Sequence, residues 1–168
     1  MLEQSNAMQE QARADAKKEF LGFSWGVGAG AVINLGEDDR VETAEVVDGI
    51  VRVTKEANDT ARVFAEVHLF RPINKEDTKG HGPFVAIQSS ANDLIDSFSV
   101  GYMRGWRKDA NATNSINVGF GLVLDTNVKE LGNGIEEDQP LPPGENADSV
   151  RLKETSGLGL GIFVSFSY

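Results

Sequence analysis

Cysteine is absent from the 168-residue sequence, and both proline (5 residues) and histidine (2 residues) are scarce. Without cysteine the chain has no disulfide scaffold, no thiolate-bound zinc site and no cysteine nucleophile. It also has no run of about 18 apolar residues, and this excludes a transmembrane helix. Lys and Arg number 16 against 26 Asp and Glu, and the net charge of −10 excludes a basic surface for nucleic acid.

The clearest pattern in the sequence is the alternation of apolar with small residues from Gly157 to Tyr168. Successive side chains of a strand point to opposite faces, so a strand here has one face of large apolar groups. The other face is mostly Gly and Ser and carries no Lys or Glu, which the water-facing side of a strand normally has. An uninterrupted apolar face on the last strand is typical of a barrel that lies in lipid.

This terminal segment resembles the closing strand of bacterial outer-membrane β-barrel proteins, which ends in an aromatic residue preceded by alternating apolar positions. The resemblance implies an all-β fold, namely an eight-stranded antiparallel up-and-down transmembrane β-barrel, and the composition of the first residues adds a short N-terminal helix. It also implies a location in the outer membrane of the Gram-negative envelope, with the signal peptide removed. The implied partners are outer-membrane lipid and the barrel-assembly machinery, which would recognise the C-terminal strand.

Period-two alternation predicts seven further strands before the terminal strand at 157–168. They cover residues 21–35, 45–55, 60–70, 84–90, 95–107, 115–125 and 149–155. An even total of eight suits an up-and-down membrane barrel. The predicted lipid-facing residues are Trp25, Val27, Ile33, Val63, Val67, Phe98, Val100, Ile116, Val118, Phe120, Leu122, Leu160, Ile162, Val164, Phe166 and Tyr168.

The predicted loop at 126–148, which is rich in Gly, Pro and acidic residues, conflicts with this topology. With both termini in the periplasm, the connection after a sixth strand would be periplasmic, where turns are short. Either this periplasmic loop is unusual or a strand between Asn127 and Leu131 is misplaced.

Two local features depart from a plain barrel pattern. Gly26, Gly28 and Gly30 resemble a nucleotide-binding loop, but they lie within a period-two strand, which argues against that function. Arg104 falls on the apolar register of its strand. It either lies near the membrane surface, where its side chain snorkels, or marks a β-bulge.

Five polar side chains on the non-lipid face of the second and third predicted strands form the candidate site. They are Asp48, Arg52, Arg62, Glu66 and His68. Because side chains fill the interior of a small barrel, we predict that these residues form an interior salt-bridge network that seals the lumen. The alternative is a catalytic or proton-binding His68 oriented by Glu66, although residues two apart on a strand need not touch.

The first 20 residues are predicted to lie outside the single β-barrel domain at 21–168. Residues 1–7 contain Ser5-Asn6-Ala7, which resembles the remnant of a cleavable purification tag. From about Gln9 to Phe20 the composition favours a helix, with a thin apolar stripe of Ala12, Ala16 and Phe20. This helix is either a solvated leader or an amphipathic clamp at the membrane edge.

We expect an integral outer-membrane protein with a structural, adhesive or narrow, porin-like pore role, without catalysis, cofactor or metal. One alternative is a lipid-modifying barrel enzyme, for which His81 in the predicted 72–82 loop and the nearby Ser89 and Ser90 are candidates. The other is a soluble β-barrel that binds an apolar ligand, with the apolar faces turned inward. The acidic stretches 37–39 and 136–138 could hold calcium but are predicted to be solvated loops.

Overall fold

The computed structural model describes residues 2–35, 40–56, 61–89, 95–145 and 149–168, which form one helix and nine antiparallel strands. The elements are α1 (Leu2–Phe20), β1 (Phe23–Leu35), β2 (Val41–Val47), β3 (Ile50–Glu56), β4 (Ala61–Leu69), β5 (Arg71–Pro72), β6 (Lys79–Ser89), β7 (Ser97–Trp106), β8 (Ser115–Leu131) and β9 (Leu152–Ser167). The predicted mainly β, antiparallel fold with an N-terminal helix is confirmed. No helix in the described part of the chain is both long and apolar enough to cross a membrane.

Six of the strands pair in a ring. The pairing runs β4–β1–β9–β8–β7–β6, and β6 pairs again with β4, so each of these strands is hydrogen-bonded on both sides. The short β5 continues β4 along β6, whereas β2 and β3 form a separate hairpin. We call the end of the ring that carries α1 and Ser167 the helix end, and the opposite end the loop end.

The predicted count of eight barrel strands is wrong, first because residues 45–55 are not one strand. The chain reverses at Asp48 and Gly49, whose φ angles are 52° and 79°. Positive φ at both central residues is the geometry of a two-residue hairpin turn, and Asp-Gly is a favoured sequence for it. The single strand predicted here is therefore the hairpin of β2 and β3.

The second correction concerns the last two predicted strands, which form the single strand β9. This strand passes Ser156 without a turn, because β8 continues to Leu131 and pairs with it beyond the predicted end at Asp125. A register shift between Asp125 and Val128 marks the start of this extension. The strand suspected at 127–131 is this part of β8.

The connections of the ring differ between its two ends. At the helix end residues 70–78 and 107–114 join neighbouring strands. The two longest connections, residues 36–60 with the hairpin and residues 132–151, are both at the loop end. In the predicted eight-strand topology the longest loop, 126–148, fell at the same end as the two termini. In the observed ring the connection after β8 lies at the end opposite α1 and Ser167, so this conflict is resolved. The predicted turns at 36–40, 56–59 and 91–94 lie wholly or partly outside the described residues.

The interior of the ring contains an aromatic layer formed by Phe64, Phe84 and Phe163. The ring of Phe163 makes edge contacts with the other two, each at a centroid distance of 5.2 Å. Gly101, Gly121 and Gly161 lie side by side on adjacent strands next to this layer. A Cβ atom on Gly161 would lie 2.4 Å from Cζ of Phe163, so the small residues of the inward register make room for the rings.

The helix α1 is attached to the helix end of the ring by its last turn. Phe20 is buried and contacts Phe70 edge to face at 5.8 Å. Arg107 donates a hydrogen bond of 2.8 Å to the carbonyl oxygen of Ala16, and Lys17 forms an ion pair of 2.7 Å with Asp77. Ala16 and Phe20 of the predicted stripe are buried as a result, while Ala12 is exposed.

Candidate functional site

The outward face of the ring is apolar along all six strands, except near the helix end, where Lys79 and His81 of β6 and Arg104 of β7 also point outward. Exposed residues of the predicted lipid-facing set are Trp25, Val27, Ile33, Val63, Phe98, Val100, Ile116, Val118, Phe120, Leu122, Leu160, Ile162, Val164, Phe166 and Tyr168, and Val67 is half-buried. Cross-strand pairs such as Phe120 with Ile162 make this surface continuous. Monomeric soluble proteins rarely expose so large an apolar surface. In the alternative of a soluble barrel these faces would point inward, whereas here they point outward.

Aromatic side chains border the apolar face at the helix end. Phe23 is the first residue of β1 and is 78% exposed, and Tyr168, the residue after β9, is 71% exposed. Tyr102 and Trp106 of β7 are exposed at the same end. Aromatic girdles at this position are characteristic of barrels at a membrane interface.

Near the loop end, the interior holds a buried cluster of ions that we call the Arg62 cluster: Arg40, Arg62, Asp96, Ser97 and Asp125. Oδ2 of Asp125 accepts hydrogen bonds from Nη2 of Arg62 at 2.6 Å and from Nη1 of Arg40 at 2.7 Å. Nη1 of Arg62 also lies 3.2 Å from Oδ2 of Asp96 and donates to Oγ of Ser97 at 2.8 Å. The carboxylates and guanidinium groups neutralise each other at this end of the interior.

Near the helix end the interior holds a second polar group, the Glu66 cluster, formed by Glu66, His68, Asn117, Ser165 and Ser167. Nδ1 of His68 lies 2.9 Å from Oε2 of Glu66, and both side chains are fully buried. Oγ of Ser165 donates to Oε1 of Glu66 at 2.9 Å. The amide of Asn117 donates to both serine hydroxyls, at 3.1 and 2.8 Å.

The five residues of the predicted interior network lie in three places. Arg62 belongs to one cluster and Glu66 with His68 to the other, and Phe64 lies between them on the same face of β4. Asp48 and Arg52 are exposed in the hairpin, outside the ring, and their prediction as interior residues is corrected. Arg52 instead forms an exposed ion pair with Asp138 of the long loop.

The Glu66 cluster does not have the geometry of a serine nucleophile activated by histidine. Ser165 donates to the carboxylate of Glu66 rather than to the imidazole of His68. The imidazole stacks on Phe70 at a centroid distance of 3.9 Å, and its Nε2 has no hydrogen-bond partner among the described residues. The arrangement orients and buries the His68 ring.

The second histidine considered for an enzyme, His81, is also placed differently from the prediction. It lies within β6 near the helix end, not in a loop, because this strand begins at Lys79. Ser89 lies at the opposite end of the same strand, and Ser90 is outside the described residues. Nδ1 of His81 is hydrogen-bonded to the hydroxyl of Tyr102 instead.

The acidic stretches considered for calcium do not form a described metal site. Residues 37–39 lie outside the described residues. In the other stretch Asp138 is engaged by Arg52. No group of three or more His, Cys, Asp or Glu suited to a metal occurs in the part of the chain that the structure describes.

The strand pairing of Arg104 tests whether this residue marks a β-bulge or snorkels from a regular strand. It pairs with His81 on one side and Val118 on the other, within ladders whose register is continuous. A bulge is therefore excluded, and the side chain points outward near the helix end. Its guanidinium lies 5.5 Å from the ring centroid of Trp106, a cation–π arrangement.

Sequence reasoning missed Arg40, Asp96 and Asp125 as members of the Arg62 cluster. For Asp125 a signal was present, because it falls on the inward register of its strand and an inward carboxylate needs a partner. Arg40 lies outside the predicted strands, where alternation does not indicate the direction of a side chain. Asp96 lies within the predicted strand 95–107 on the register of Phe98, but β7 begins only at Ser97, and the Asp96 side chain is buried.

Comparisons with protein-family models, with curated proteins and with solved structures give no match for this chain.

Proposed function

We propose that this chain is an integral membrane β-barrel of the outer-membrane type, with a sealed interior and a structural, non-catalytic role. The observation that carries the proposal is the continuous apolar outer face combined with an interior that holds the buried ions. A soluble domain has the opposite arrangement, because water solvates charges and excludes apolar surface.

The height of the apolar face supports this proposal. Along β1 the outward apolar residues run from Phe23 to Leu35. At about 3.3 Å per residue this is roughly 40 Å along the strand. A tilt of about 45°, usual for membrane strands, reduces it to a height of roughly 28 Å. The apolar band of outer-membrane barrels is about 25 Å tall.

The asymmetry of the connections supports an outer-membrane orientation. Outer-membrane barrels have short periplasmic turns and longer extracellular loops. The helix end, which carries neither of the two longest connections, would then face the periplasm, and the hairpin and the 132–151 connection would face outward. The C-terminal strand β9, with its apolar register ending at Tyr168, is the segment we expect the barrel-assembly machinery to recognise.

The contents of the interior support the proposal that it is sealed. A ring of six strands is narrower than the smallest bacterial barrels of eight, whose interior is already filled by side chains. Here the aromatic layer separates two polar clusters, and both clusters are buried. We therefore propose a protein that displays loops at the outer surface or stabilises the membrane, without conducting ions.

The first test is whether the purified chain needs detergent or lipid to stay folded. We expect a β-rich circular dichroism spectrum only in detergent or lipid, and a change in gel mobility on boiling. A monodisperse β-rich protein in plain buffer would overturn the membrane assignment. In liposomes, conductance equal to that of empty liposomes is expected, whereas stable channels would overturn the sealed interior.

A further inference from the structure

Three cationic or titratable side chains form a row on the outward face near the helix end. Arg71 of β5 pairs with His81 of β6, and His81 pairs with Arg104 of β7. Directly opposed residues of antiparallel strands point to the same side, with Cβ atoms about 5 Å apart. The three side chains therefore form one patch on the apolar outer face, and we call it the Arg104 row.

The charge of the Arg104 row is not balanced by acidic residues on the same face. No outward position of β1, β4, β6 or β7, or of residues 115–125 and 157–167, carries Asp or Glu. Among the described residues neither Arg71 nor Arg104 makes an ion pair within 4 Å. An anion from outside the chain would complement this patch.

An apolar groove begins directly beside the Arg104 row. It is lined by Ile73, His81, Tyr102, Met103, Arg104, Val118 and Phe120. Phe120 is 68% exposed and pairs with Tyr102. This pair lies two residues further from the helix end than the pair of Arg104 and Val118. The groove thus combines a cationic rim with an apolar floor that leads toward the middle of the apolar face.

We propose that the Arg104 row binds the phosphate of an anionic phospholipid, with one acyl chain lying in the groove over Val118 and Phe120. This inference rests on the proposed membrane insertion. The two ends of the groove match the two parts of a lipid, a charged head at the interface and a hydrocarbon chain below it. The hydrogen bond between Tyr102 and His81 fixes the polar rim.

The test compares the wild-type chain with Arg104→Gln, with the double variant Arg71→Gln/Arg104→Gln, and with Arg52→Gln as a control. Arg52→Gln makes the same chemical change in the exposed hairpin, far from the groove. Each protein is first checked for folding in detergent by heat-dependent gel mobility. Native mass spectrometry then measures binding of phosphatidylglycerol and of phosphatidylcholine with the same acyl chains.

Wild type and Arg52→Gln are expected to prefer phosphatidylglycerol. Arg104→Gln should bind it about fivefold more weakly and the double variant about 25-fold more weakly, since each basic residue near a membrane contributes about 1 kcal/mol. Equal binding of both lipids by folded wild type, or an equal loss in Arg52→Gln, would overturn the inference. Displacement of the lipid by equimolar inorganic phosphate would overturn it too, because the groove would then contribute nothing.

This experiment separates the inference from the proposed function on which it rests. If the chain is soluble and folded without detergent, membrane insertion fails and the lipid site fails with it. If the chain folds only in detergent but shows no headgroup preference, membrane insertion stands and the lipid site alone is wrong.

Discussion

The ring strand β4 and the hairpin strand β3 have similar sequence patterns but opposite environments. Both alternate apolar residues with charged ones, and each carries an arginine that pairs with an aspartate. The Arg62 side chain in β4 is 5% exposed, whereas the Arg52 side chain in β3 is 49% exposed. Local sequence therefore does not decide burial here. The decisive difference is that β4 has a strand of the ring on each side, while among the described residues β3 has one strand neighbour, β2, and meets only residues 138–141 of the long loop on its other side.

The two arginine–aspartate pairs should differ strongly in their effect on stability. Removing one partner of a buried pair leaves an uncompensated charge in a medium of low dielectric constant. Removing one partner of an exposed pair lets water solvate the other. Measurements on the two pairs can therefore confirm or refute the distinction between ring and hairpin.

The largest effect is expected for Asp125→Asn. Asp125 accepts hydrogen bonds from both Arg40 and Arg62, so its neutralisation leaves two buried guanidinium groups without their shared anion. We expect a loss of about 3–5 kcal/mol in the free energy of unfolding. Urea unfolding in lipid vesicles, followed by tryptophan fluorescence, measures this loss.

The matched control is Asp138→Asn, which removes the aspartate of the exposed Arg52 pair. Its side chain is 63% exposed, and the free energy of unfolding should stay within about 1 kcal/mol of wild type. Equal losses in the two variants would show that the Arg62 cluster is solvated, and the distinction between ring and hairpin would be wrong.

The next largest effect is expected for Gly161→Ala in the ring. The added Cβ would lie 2.4 Å from the Phe163 ring, and overpacking of this kind costs about 1–3 kcal/mol. The control is Ala29→Val, which adds carbon atoms on the exposed outer face of β1. Folded fractions from heat-dependent gel mobility should fall for the first variant only, and an equal fall in both would contradict a tightly filled interior.

The sequence predicted the faces of the strands better than their number. Alternation identifies two faces, and the residues assigned to the lipid side are the exposed ones, except for half-buried Val67. It identified Arg62, Glu66 and His68 as inward for the same reason. The faces could be predicted because the period of two is a local property of a strand.

The number of strands and the membership of the site depend on non-local pairing. Residues 45–55 alternate whether or not the chain reverses at Asp48 and Gly49, so the pattern did not reveal the hairpin. Ser156 interrupts the apolar pattern, although β9 runs through it because β8 offers a partner. Arg40 joins the Arg62 cluster from outside any predicted strand, through a contact 85 residues away in sequence.

A smaller, local effect is expected where the hairpin meets the long loop. Val51 is fully buried, and its backbone exchanges hydrogen bonds of 2.9 Å with Gln139 and Asp138. Val51→Asp should detach the hairpin from the long loop. Hydrogen exchange of the Asp138 amide should then be roughly tenfold faster, which corresponds to the loss of about one hydrogen bond. The ring should keep its heat-dependent gel mobility. The exposed Val47→Asp is the control, and faster exchange there would show that added charge alone loosens the loop.

The smallest effect concerns the exposed pair of Glu145 and Arg151 in the long loop. A hydrogen bond of 2.7 Å from Arg151 lowers the pKa of the Glu145 carboxyl below its usual value. A lowered pKa in the folded state means that the pair stabilises the loop above the ordinary carboxyl pKa. This contribution is lost as the pH falls through the lowered value.

Carbon-detected NMR titration of the Glu145 carboxyl measures this shift. Arg151→Gln should raise the titration midpoint back toward the usual glutamate value, whereas Arg52→Gln should leave it unchanged. Because Arg151 is exposed and Glu145 is partly exposed in the loop, outside the ring, the change should affect the midpoint and the local loop, but not the unfolding of the ring. A midpoint that is the same in wild type and Arg151→Gln would show that the pair does not persist in solution. A ring destabilised by Arg151→Gln would instead mean that the long loop and the ring unfold as one unit.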